Sequence, residues 1–146
     1  MPAKPPDEAK LYEAGLRHLA RYPATEASTA RVLSRKLDRW ARLIPAEDLD
    51  PEAAQSALAA AKRIIPAIIA RLKDDGLLND SAFAASREKR LRREGKSRRY
   101  ALAHLAAKGV ATATAQNLLP NDPDRELAAA CAYLRRRRAG PFGAAP

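Results

Sequence analysis

Arg87, Lys89, Arg90, Arg92, Arg93, Lys96, Arg98, Arg99 and Lys108 fall within residues 81–109, against only Glu88 and Glu94. Residues 1–80 hold 13 basic and 12 acidic side chains, so most of the net charge of +10 lies in one short segment. The chemistry such residues offer is anion recognition. An arginine fork binds carboxylate or phosphate through two parallel hydrogen bonds. A local excess of this kind points to nucleic acid or to an acidic protein groove. Arg135, Arg136, Arg137 and Arg138 form a second cluster. On one helical turn these four diverge, so at most two or three face one partner. The alternative for both clusters is a solvated, arginine-rich face.

Catalysis finds little support. His18 and His104 are isolated, and no nucleophile–base pair, glycine-rich phosphate loop or carboxylate–histidine cluster is evident. No catalytic residue, metal site or cofactor is expected. The lone Cys131 excludes an intrachain disulfide and reads as a structural thiol. Aromatic residues make up 5 % of the chain. Most are expected to face apolar interiors, so base stacking is not expected to carry binding. The second basic helix, 96–108, lacks the Asn or Gln that reads base edges. Asp7-Glu8 and Asp74-Asp75 read as terminal and surface charges. No stretch approaches the ~20 apolar residues of a membrane span, and a cytoplasmic location is expected.

The elements that must position these cations are short helices. Apolar residues are 47 % of the 146, largely Ala, which favours helix but buries little area. Tyr12, Leu16 and Leu19 stripe a helix from about Asp7 to Tyr22, stopped by Pro23. Thr25 is a natural N-cap for the next, with Thr29, Leu33, Leu37, Trp40 and Ile44 on one face. Asp50-Pro51 starts an Ala-rich run reaching Ile68 and Leu72, which Pro66 kinks or breaks. Gly76 stops it. Further helices are expected at 80–94 with Phe83 and Leu91 inward, and at 97–108 with Leu102 and Leu105 inward. A short one follows at 111–119, and a last one begins at Asp122-Pro123.

The two halves echo each other at an offset of 72 residues: Leu19 with Leu91, Pro23 with Gly95, Thr25 with Ser97, Leu33 with Leu105, Lys36 with Lys108. This reads as tandem units, each too small to bury its face alone.

Gly76-Leu77-Leu78-Asn79-Asp80-Ser81-Ala82-Phe83-Ala84 resembles the junction between the first two repeats of the RecX family. Gly95, followed by Leu105-x-x-Lys108-Gly109-Val110, is similar to the second repeat of that family. Residues 12–37 resemble the first, with Thr25 where Ser is usual. The resemblance implies an all-α fold of tandem three-helix, helix-turn-helix-like repeats in an elongated, basic array. It places a first repeat at 10–78 with an insertion at about 45–64, a second, basic repeat at 79–121 and the start of a truncated third at 122–138. Tails flank these at 1–9 and 139–146. It also implies a non-catalytic partner of the RecA–DNA filament, limiting filament growth, ATP hydrolysis and strand exchange within DNA repair, recombination and the SOS response. Some family members bind single- or double-stranded DNA directly. A plain nucleic-acid-binding helical module remains the competing reading, and a scaffold with an incidental basic surface is a third.

Overall fold

A computed structural model describes residues 4–138; the tail expected at 139–146 and the first three residues of the chain lie outside it. The described residues form eight helices and no strand. They divide into two compact units that meet at Asn79 and Asp80.

The first unit contains α1 (Glu8–Arg21), α2 (Glu26–Leu43), α3 (Pro51–Lys62) and α4 (Ile65–Asp74). Its helix starts are written in side-chain chemistry. Asp7, inside the stretch expected as a tail, accepts the Lys10 amide at 2.9 Å and so begins α1. Thr25 accepts the Ser28 amide at 3.1 Å, and the Ser28 hydroxyl accepts the Thr25 amide at 2.9 Å, a reciprocal cap. Asp50 accepts the Glu52 amide at 2.8 Å, with Pro51 opening the helix behind it. The run breaks at Arg63 and Ile64, so that Pro66 falls in the first turn of α4, where a missing amide costs least. Helices α1, α2 and α4 pack on one another, and α3 packs chiefly on α2. Leu11, Leu33, Leu37, Ile68 and Leu72 are fully buried at their centre. Each contributes roughly 1.5–3 kcal/mol by leaving water.

Pro51–Asp74 is long and apolar enough, by length and composition alone, to cross a membrane, although Lys62 and Arg63 interrupt its apolar residues. In the fold those residues mark the junction of α3 and α4, and Ile65, Ile68, Ile69 and Leu72 face the core.

The second unit contains α5 (Asp80–Arg93), α6 (Arg98–Ala107), α7 (Thr112–Leu118) and α8 (Pro123–Arg136). Ser97 caps α6 through the Tyr100 amide at 3.1 Å, the role Thr25 plays for α2 in the first unit. Leu33 and Leu105, equivalent by the same offset, are both fully buried. The trio α5, α6 and α7 packs mutually, as α1, α2 and α4 do. Ala84, Leu91, Ala101, Leu105 and Leu119 form this core, with Phe83 at its margin. Gly95 ends α5 with φ of +74°, its amide bonded to the Arg92 carbonyl and the Lys96 amide to that of Leu91. This paired closure needs a left-handed residue, which favours glycine. Gly76 and Gly109 close α4 and α6 in the same way.

Candidate anion-binding surface

The basic residues of the second unit start from a common backbone but divide by what their side chains touch. On α5, the inward face holds Phe83, Ala84, Glu88 and Leu91. Helical spacing therefore sends Lys89, Arg90, Arg92 and Arg93 outward, and all four are exposed. Arg90 pairs with Glu94 at 3.6 Å and Arg92 with Glu88 at 3.1 Å. Lys89, Arg93 and the exposed Arg99 of α6 have no ion-pair or hydrogen-bonded side-chain partner among the described residues. They are cations without a local counter-charge. Lys108, at the C-cap of α6, is exposed and engaged locally.

Two predicted contacts point into the structure instead. Arg87 lies over the Phe83 ring at 4.8 Å and donates from Nη1 to Nε2 of His104 at 3.3 Å. A guanidinium only donates, so that nitrogen of His104 is the acceptor and its proton sits on Nδ1. Burial, then the charges of Arg87, Lys108 and Arg90, hold the imidazole below its usual pKa against a smaller opposing effect of Glu94. Burial, then Arg90, also lowers the pKa of Arg87. Arg98 donates from Nε to the Leu119 carbonyl, and its amide donates to Glu126 Oε1 at 2.9 Å. Its half-buried side chain therefore fastens α6 to the segments around α7 and α8.

The turn at Gly95–Ser97, the start of α6 and one face of α8 enclose a groove of about 670 Å³. It brings Lys96 together with the adjacent Arg136 and Arg137, which lie far from it in sequence. Arg135 and Arg138 are exposed but do not line it. Tyr100 and Tyr133 form opposite parts of its lining, and both rings are exposed. Lys96 Nζ lies 4.7 Å from the Tyr100 centroid, and the Arg137 guanidinium 5.2 Å from that of Tyr133. Tyr100 also stacks on His104.

Of the aromatic side chains, expected mostly to face apolar interiors, Trp40 and Phe83 do so, whereas Tyr22, Tyr100 and Tyr133 are exposed. Tyr100 stands off the α6 stripe of Ala101 and Leu105, whereas Tyr22 follows α1 as its C-cap and Tyr133 continues the Arg125–Ala129 stripe into the last turn of α8, so helical phase signals only Tyr100.

The sequence reading also missed Glu88 and Arg125. Arg125 of α8 is buried, with Nη1 at 2.7 Å from Glu88 Oε1, and the two side chains are 6 % and 9 % exposed. None of the three guanidinium nitrogens has an aligned hydrogen-bond partner among the described residues. The pair is held by charge proximity rather than by a directed fork. Among the described residues there is no group of three or more His, Cys, Asp or Glu able to hold a metal, and Cys131 is half-buried and unpaired.

No protein-family model matches the chain. No solved structure matches it either. Among curated proteins, the regulatory protein RecX of Myxococcus xanthus (strain DK1622) is 33 % identical over 139 residues, an alignment spanning 93 % of this chain and 68 % of the relative. That alignment spans both units, and the chain belongs to the RecX family.

Proposed function

We propose that the protein regulates RecA by binding the RecA–DNA filament and limiting its growth, its ATP hydrolysis and strand exchange, without catalysis of its own. The observation that carries this reading, beside family membership, is the set of exposed cations lacking a carboxylate on α5 and α6: Lys89, Arg93 and Arg99. Charges already neutralised at home gain little from a partner, whereas free ones gain the full interaction. A filament offers repeated acidic and phosphate surfaces. Several modest contacts on one regulator add up across neighbouring protomers, and the sum weakens with salt. The proposed setting is the cytoplasm, in recombinational DNA repair.

Co-sedimentation tests this directly. The protein is expected to pellet with RecA filaments on single-stranded DNA and to remain in solution with either component alone at physiological salt. Equal recovery with naked DNA would replace the filament by nucleic acid as the target.

That second reading, a non-sequence-specific nucleic-acid module, has one observation of its own. Tyr100 and Tyr133 present exposed rings in a groove with Lys96, Arg136 and Arg137, and stacked bases beside paired cations are how single strands are held. Tyr100→Ala with Tyr133→Ala separates the two. Filament binding is expected to survive the change, whereas oligonucleotide binding would not.

A further inference from the structure

The first unit carries a basic surface that charge counting conceals. A groove of about 560 Å³ is lined by Lys4 and Lys10, from the start of the described chain and from α1, and by Arg35, Lys36 and Arg39 of α2. All five are exposed. No carboxylate lines the groove, and none of the five cations has an ion-pair partner among the described residues. Asp38, the acid within this run of α2, is turned away and pairs with Lys62 at 2.6 Å. The near-neutral balance of residues 1–80 therefore separates in space into a cationic groove and acids placed elsewhere.

The rest of the lining is apolar. Pro6, Val32, Trp40 and Leu43 supply it, and Leu43 is 49 % exposed. Trp40 is only 5 % exposed, so it leaves little ring surface for a base to stack on. A small inorganic anion would meet only flexible, fully solvated side chains, each worth little alone. An apolar lining set among cations matches a ligand that combines an apolar face with negative charge.

We propose that this groove docks an acidic amphipathic helix of a partner protein. Its apolar side chains would lie on Val32, Leu43 and the exposed part of Trp40. Its carboxylates, one turn apart, would meet Arg35 and Arg39, which are themselves one turn apart on α2. Charge complementarity is the ground for this occupant. A nucleic-acid strand would use the cations but leave the apolar lining without a partner. The inference stands apart from the surface on α5 and α6, since it concerns the other unit.

Fluorescence anisotropy with the full chain tests it. The probe is a labelled acidic peptide with leucines at helical i, i+3, i+7 spacing and glutamates elsewhere. The controls are the same composition scrambled and an oligothymidylate of matched charge. Tight binding of the amphipathic peptide is expected, weakened at least about tenfold by Arg35→Glu with Arg39→Glu and several-fold by Leu43→Ser. Lys89→Glu with Arg93→Glu, in the other unit, should leave it unchanged. The scrambled peptide should bind more weakly than the patterned one. Equal affinity for the two peptides, or no effect of Leu43→Ser, would overturn the proposal in favour of a purely electrostatic patch. Preferential binding of the oligothymidylate would overturn it in favour of nucleic acid. Absence of peptide binding would leave a solvated face.

Discussion

Glu88 of α5 and Arg125 of α8 form a buried ion pair at 2.7 Å, across helices separated by all of α6 and α7 in the chain. The relationship fixes α8 to the second unit, and with it one wall of the Tyr100–Tyr133 groove. Removing one member of a buried pair leaves the other charge stranded. Glu88→Ala is expected to cost about 3–5 kcal/mol in denaturant unfolding, because Arg125 is left buried without its carboxylate. Glu88→Leu combined with Arg125→Met should recover most of that loss, because the apolar pair avoids burying charge. A double variant no more stable than the single one would show that the pair is not mainly a charge problem.

Gly95 separates two physical effects that usually come together. Its φ is +74°, and a Cβ added there would lie 2.5 Å from the Ala132 Cβ. Gly76 has φ of +78° with nothing within 4 Å of an added Cβ. Gly76→Ala is expected to cost about 1–2 kcal/mol from backbone handedness alone. Gly95→Ala adds about 1–3 kcal/mol of overpacking and should also displace α8. Thermal unfolding of the two variants checks the difference, and equal losses would show that α8 yields freely.

His104 sets a pH dependence whose sign follows from its surroundings. Burial first, then Arg87, Lys108 and Arg90, depress its folded pKa below the ordinary value, with Glu94 opposing. Both states are neutral at that site well above about pH 6.5, so no destabilisation arises there. As pH falls through that value, the unfolded chain takes up the proton first, and stability is lost progressively as acidity increases. His104→Gln is expected to flatten this part of the stability–pH curve. An unchanged acid slope would assign it to other groups.

Lys89→Ala, Arg93→Ala and Arg99→Ala together are expected to leave the unfolding midpoint nearly unchanged and to weaken filament binding by roughly tenfold or more at physiological salt. Arg98 does not belong in that set. Its side chain serves the Leu119 carbonyl, so its loss mixes folding with binding. Unchanged filament affinity in the triple variant would remove α5 and α6 from the interface.

Local chemistry was legible in the sequence where one residue decides the outcome. Thr25, Asp50, Ser97 and Asp122 cap the helices they precede, and Pro66 breaks the Ala-rich run. Leu33 and Leu105, read as equivalent by spacing, are equally buried. What depended on distant partners was not legible. Arg87 and Arg98 share composition with Lys89 and Arg93, yet only the tertiary contacts of His104 and Leu119 turn them inward. Lys4, Lys10, Arg35 and Arg39 vanished into a balanced count because Asp38 cancels charge in sequence but faces Lys62 in space. The exposure of Tyr100 and Tyr133 was not legible in composition either, because composition does not say which side of a helix a ring occupies or whether another element covers it.

The most direct test of the central claim is the single-stranded-DNA-dependent ATPase of RecA, titrated with this protein at two DNA concentrations. Inhibition that saturates at a low ratio to RecA and is indifferent to added DNA is the result expected of a regulator that targets the filament. Activity restored in proportion to added DNA would contradict the account, reducing the basic surface to a competitor for phosphates.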